Sequence, residues 1–118
     1  MPEAFIPVRR LHHFAHRCRE AEETRSFYED LHLFFELGDG SSIAFFDLGD
    51  GKGAEPSPNT PAWVNHFAMK VDSVEALQKA KARLEAAGVE VLGITDHGFV
   101  RSIYFFDPNG VRLEFAVD

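Results

Sequence analysis

F-F-D-P-N-G-V-R-L-E-F at residues 105–115 repeats in outline F-F-E-L-G-D-G-S-S-I-A-F-F at residues 34–46, with Gly110 and Gly40 as the matching turn positions. Each segment reads as two apolar strands joined by a glycine-containing turn. Upstream of each lies the tripeptide H-F-A, at 13–15 and again at 66–68, and each copy leads into a stretch of helix-forming residues. Self-similarity of this kind, with elements in the same order, dictates architecture: the chain is expected to write one β-α-β-β-β module twice.

Working outward from these anchors, L-H-H-F-A-H-R-C (11–18) alternates as a strand. Leu11, His13, Ala15 and Arg17 share one face and His12, Phe14, His16 and Cys18 the other. A helix is predicted from Glu20 to Leu31, with acidic residues in its first turn and Phe27, Tyr28 and Leu31 as its apolar stripe. Strands at 32–37 and 42–48 close the first module, about 8–48. Residues 49–62, rich in Gly and Pro, read as a linker. The second module, 63–118, opens with a strand at 63–71. A helix capped by Asp72 or Ser73 runs to about Ala87, with Val74, Leu77, Ala80 and Leu84 inward and Gly88 as its stop. Strands at 89–94, 102–107 and 111–117 follow. The fold class expected is α+β: paired modules forming an open, curved, eight-stranded mixed sheet, a cup within a single domain. His66 to Phe105 spans 39 positions but His13 to Phe34 only 21, so the first module is short by 18 residues, one strand's worth. The predicted helix also runs into the next strand without a loop, which places an omitted segment between Leu31 and His32.

Composition bounds the function. The chain has 118 residues, 45% hydrophobic and 26% charged, with no apolar run long enough for a membrane span. A net charge of −7 disfavours nucleic acid and anionic membranes and favours a small-molecule partner. The opening residues lack a secretory leader, so a cytoplasmic location is the expectation. Cys18, the single cysteine, reads as a buried thiol and excludes a thiolate-rich zinc site, leaving histidine and carboxylate as metal ligands.

Placed on their strands, His13 and His66 occupy equivalent points of the two first strands, and Glu114 lies on the last. There Arg112, Glu114 and Ala116 face the cup, while Val111, Leu113, Phe115 and Val117 pack under the helices. A carboxylate flanked by apolar neighbours needs a counter-charge, and a divalent ion shared with two imidazoles supplies it. Two histidines and one carboxylate form the usual facial ligand set of non-haem Fe(II), with Mn(II), Zn(II), Co(II) or Ni(II) as other occupants. His12, His16 and His32 are read as packed or solvent-facing. Arg17, Lys70 and Arg112 point towards the cup, where each either neutralises an anionic substrate or snorkels at the rim.

The paired H-F-A strands, the duplication and the terminal D-P-N-G-V-R-L-E-F resemble the vicinal oxygen chelate superfamily, which includes glyoxalase I, bleomycin- and fosfomycin-resistance proteins and extradiol dioxygenases. The resemblance covers nearly the whole chain. T-D-H-G-F-V-R-S-I-Y-F-F-D-P-N-G-V-R-L-E (95–114) is similar to the extradiol signature, which implies catalytic roles for His97 and Tyr104 ahead of the ligand Glu114. Glyoxalase I is expected to place a further carboxylate where the first module here has Ala44, so the resemblance implies an open-sided site of three protein ligands. The further acid-base histidine expected of extradiol enzymes is absent from residues 43–62. The implied function is that of a metal-dependent dioxygenase or lyase acting on a small substrate with vicinal oxygens, assembled as a homodimer. Two other classes stay open. A thiol transferase of the fosfomycin-resistance kind would respond to Mn(II) and a thiol, and a drug-sequestering binding protein would be indifferent to chelators.

Overall fold

A computed structural model of the chain describes residues 6–31 and 35–118. The elements run β1 (His13–Cys18), α1 (Ala21–Asp30), β2 (Ser42–Asp47), β3 (Phe67–Lys70), α2 (Val74–Ala86), β4 (Leu92–Asp96), β5 (Arg101–Phe106) and β6 (Arg112–Val117). β1 and β2 pair in parallel, and the other strands form a four-stranded mixed sheet in the order β3-β6-β5-β4. The α+β class is as expected, but one eight-stranded sheet is not: the described residues hold six strands in two open sheets. Within the expected strand at 32–37, residues 32–34 and the junction at Leu31–His32 lie outside the described residues. From Phe35 on, pairing is reduced to a single bridge between Glu36 and Ser42.

The duplication is visible in the strand registers. Ala15 pairs with Ala44 across β1 and β2, and Ala68 pairs with Glu114 across β3 and β6. Since Ala15 and Ala68 are the alanines of the two H-F-A copies, Ala44 stands in the first module where Glu114 stands in the second. The phenylalanines of the same tripeptides stack on each other, Phe14 on Phe67 at 3.8 Å and 18°, so the two sheets meet along their first strands through side chains.

Local chemistry explains the boundaries. Glu20 caps α1, its carboxylate accepting from the Glu22 and Glu23 N–H groups. Ser73, rather than Asp72, caps α2 through the Ala76 N–H at 3.1 Å. After α2, Gly88 takes a left-handed φ of 83°, and the Val89 N–H is still donating to the Leu84 carbonyl at 2.9 Å. That closure delays the next strand, so β4 begins at Leu92 rather than at residue 89. Likewise the Val64 N–H donates to the Pro61 carbonyl in a turn, and β3 starts only at Phe67.

Leu77 and Leu84 of α2 are fully buried against Ile103, Phe105, Leu113 and Phe115 of the large sheet, and Tyr28 of α1 joins the same core. Cys18 is buried, as expected. A polar lock ties the modules together beneath this core. Oδ1 of Asp107 accepts from the backbone N–H groups of Asn109 (2.9 Å) and Val111 (2.8 Å), shaping the P-N-G turn. Its Oδ2 accepts from the Tyr28 hydroxyl at 2.9 Å. Asn109 in turn accepts from the Arg19 N–H at 2.8 Å and donates to Thr24 Oγ1 at 3.1 Å, both of the first module. The linker also rests on this turn, the Ala54 N–H donating to the Asn109 carbonyl at 2.7 Å. A Cβ at residue 53 would lie 2.6 Å from that carbonyl oxygen, so only glycine allows the approach.

Candidate functional site

Alternation on β5 and β6 turns Ser102, Tyr104, Arg112 and Glu114 to the face opposite the helices. Tyr104 and Glu114 stand directly across from each other in the antiparallel register. Glu114 is buried, at 7% exposure, and both of its oxygens are engaged. Oε1 lies 2.9 Å from His66 Nε2, and Oε2 accepts from the Ser102 hydroxyl. The other ring nitrogen of His66, Nδ1, faces the Val64 carbonyl at 3.0 Å. Both nitrogens of this imidazole therefore face acceptors. A neutral ring has one N–H and can donate to only one of the two; a second ring proton, or a metal ion bound at Nε2, would satisfy both. With its proton on Nδ1, His66 would donate to the Val64 carbonyl and leave Nε2 free for a metal ion, the way metal-ligating histidines are usually oriented.

His66 and Glu114 thus fit two positions of the divalent site expected from the sequence. His13 does not join them. Among the described residues no set of three His, Cys, Asp or Glu side chains is gathered for coordination. β1 belongs to the other sheet, and His13 is exposed with its Nδ1 2.9 Å from that of His12. The contact between the two first strands is made one residue later, by Phe14 stacking on Phe67.

The remaining predicted pair is assembled. His97 Nε2 lies 3.0 Å from Tyr104 Oη, and the Tyr104 ring approaches that of His66 edge-on at 6.1 Å. Arg112 lies over the Tyr104 ring at 4.3 Å. Of the cations expected at the cup, Arg17 pairs with Asp50 and Lys70 with Asp118, both on the surface.

A cleft of about 640 Å³ opens beside His66 and Arg112. One wall runs from Ala54 in the linker to Asn65 just beyond it, and another carries Phe67 and Phe106. His16, read from sequence as packed or solvent-facing, lines it too. Two features of the site escaped sequence reasoning. Ser102 was legible in principle, being two residues from Tyr104 on the same face. The linker's part in the cleft has no periodic signal at all.

Among the described residues no helix is long and apolar enough to cross a membrane. The family profile for the Glyoxalase/Bleomycin resistance protein/Dioxygenase superfamily matches residues 10–115. Over 97 residues the chain is 29% identical to biphenyl-2,3-diol 1,2-dioxygenase 2 of Rhodococcus globerulus, covering 75% of this chain but 50% of that protein. The chain therefore spans half the length of that relative. A glyoxalase/dioxygenase from Nostoc punctiforme is similar in fold, with a TM-score of 0.74 at 18% identity over 100% of this chain and 98% of that one. The fosfomycin resistance protein FosX from Listeria monocytogenes gives a TM-score of 0.71 at 21% identity, with 95% of each chain covered.

Proposed function

Because this chain belongs to the glyoxalase/bleomycin resistance protein/dioxygenase superfamily, we propose that it is a metal-dependent enzyme of the dioxygenase or lyase type, acting on a small substrate with two adjacent oxygens, such as a catechol. The observation that supports this reading is the His66–Glu114 pair at 2.9 Å, in which both imidazole nitrogens face acceptors, an arrangement that a metal ion bound at Nε2 would satisfy. His66 and Glu114 are the ligands of the proposal, with His13 as the third from sequence, and Fe(II) is the favoured ion. When bound, such an ion supplies Lewis-acid polarisation of the substrate oxygens and, if it is iron, access to dioxygen chemistry.

The protein's own groups do the rest. Ser102 and the Val64 carbonyl hold the ligand pair in orientation. Tyr104 Oη meets the substrate, and His97, hydrogen-bonded to it, takes or returns the hydroxyl proton. Phe67 and Phe106 give the cleft apolar surface against which a substrate ring can pack.

Anaerobic loading with Fe(II), followed by catechol and air, tests the reading: a coloured ring-opened product that a chelator abolishes is expected. No metal uptake would sink it, and activity only with Mn(II) and a thiol would move the chain to the transferase class. Two variants sharpen the assignment. Ser102→Ala is expected to weaken metal binding by about tenfold, the size typical of removing an outer-shell partner, measured by competition with a chromophoric chelator. Tyr104→Phe is expected to bind metal normally but turn over at least about a hundredfold more slowly, because it removes the proton-bearing oxygen.

A further inference from the structure

Arg112 differs from the other cations aimed at the cup. Arg17 and Lys70 reach aspartates, whereas among the described residues no carboxylate lies within ion-pair distance of the Arg112 guanidinium. Its contacts are neutral: the face of Tyr104 at 4.3 Å, and the Trp63 carbonyl, which accepts from Nη1 at 3.0 Å. A guanidinium carries five N–H donors, and a ring face accepts none of them along their axes, so this head keeps donors for another acceptor. It is also half-buried and held from two sides, so little rotamer freedom remains to be lost when a ligand binds. Arg112 lines the cleft together with His66, and it precedes Glu114 by two residues on the same face of β6. A two-residue step along a strand is roughly 6.5 Å, about the width of a six-membered ring with its substituents.

We propose that Arg112 binds an anionic group of the substrate, and that the substrate class is a planar aromatic acid with its vicinal oxygens at the His66–Glu114 end and a carboxylate at the Arg112 end. The location of the reacting end rests on the metal-site reading above. The flat apolar walls formed by Phe67, Phe106, Pro56 and Pro61 suit a ring between the two ends. Glu55 also lines the cleft, and the chain carries a net charge of −7. An anion therefore approaches against the overall field, and its recognition must come from a local, oriented fork of donors rather than from long-range attraction.

The test is calorimetric binding of catechol, protocatechuate (a catechol with one ring carboxylate) and benzoate to the zinc-loaded and the metal-free protein, in wild type and Arg112→Met. Protocatechuate is expected to bind at least about tenfold more tightly than catechol, the worth of one charge-assisted bidentate contact. Arg112→Met is expected to erase that difference while leaving catechol affinity unchanged. Benzoate, which has no vicinal oxygens, is expected to bind wild type in both metal states and to lose affinity in the variant. Equal affinity of wild type for catechol and protocatechuate overturns the proposal. So does a difference that survives in Arg112→Met, or a variant that loses all ligands in proportion, as a merely structural arginine would. Should Arg112→Met fail to fold by circular dichroism, Arg112→Gln takes its place with the same outcomes. Failure of the metal reading is separable: zinc then improves neither diphenol, while benzoate still distinguishes wild type from variant.

Discussion

Glu114→Gln is expected to take up a divalent ion more than about a hundredfold more weakly than wild type, and to lose turnover to a similar or greater extent. Loss of an outer-shell partner costs about 10- to 100-fold in metal affinity, and a direct ligand must cost more. The substitution keeps the shape and an oxygen for the Ser102 hydroxyl, but it removes the negative charge that faces His66 Nε2 at 2.9 Å. A neutral amide there neither balances the ion nor competes with water for it. Elemental analysis and chelator competition check the first effect, and steady-state rates the second. If Glu114 only buttressed the sheet, the variant would melt earlier while binding metal normally, and the assignment would be lost. His13→Ala belongs in the same experiment, because the structure leaves His13 outside the pair.

Asp107→Ala is expected to destabilise the protein by about 3 to 5 kcal/mol. It strands the buried N–H groups of Asn109 and Val111 and takes one acceptor from the Tyr28 hydroxyl, and each unsatisfied buried group costs about 1 to 3 kcal/mol. Against a usual net stability of about 5 to 15 kcal/mol this is a large share. Urea denaturation followed by tryptophan fluorescence and circular dichroism measures it. Asp107→Asn keeps an acceptor for the two N–H groups and should cost far less. Acid makes the contrast sharper. Burial pushes the Asp107 carboxyl above its ordinary value, outweighing the hydrogen bonds that favour its charged form. The folded state therefore holds this proton more tightly than the unfolded chain does. The group's contribution is greatest below the ordinary carboxylate range and is lost as pH rises through the raised value. Relative to wild type, Asp107→Asn is accordingly expected to gain stability on going from pH 3 to pH 7, the opposite of what removing a salt-bridged aspartate would give.

Much of this was legible in the chain. Alternation alone put Glu114, Arg112 and Ala116 on one face of β6 and Leu113, Phe115 and Val117 on the other, and the burial of the latter three agrees. The H-F-A copies and the turn glycines located the equivalence of Ala44 and Glu114 that the two strand registers display. Where reading failed, it failed at particular contacts. The first strand of the second module starts four residues later than its alternation suggests, because a turn closes on the Pro61 carbonyl. The eight-stranded sheet became two smaller sheets, since β1 and β3 meet through the stacked rings of Phe14 and Phe67 rather than through a backbone ladder, and from Phe35 on the strand expected at 32–37 is reduced to one bridge.

The amino-acid sequence by itself determined the element types, their duplicated order and which side chains share a strand face, because these follow from periods of 3.6 and 2 that act over a few neighbours. Only the tertiary structure decided that His66 meets Glu114 while His13 does not, that Ser102 holds the carboxylate, that Asn109 locks onto Thr24, and that Arg112 alone among the cup's expected cations lacks a carboxylate among the described residues. Such contacts join residues dozens of positions apart. They depend on how two sheets and a linker settle against one another, and no local periodicity carries that information.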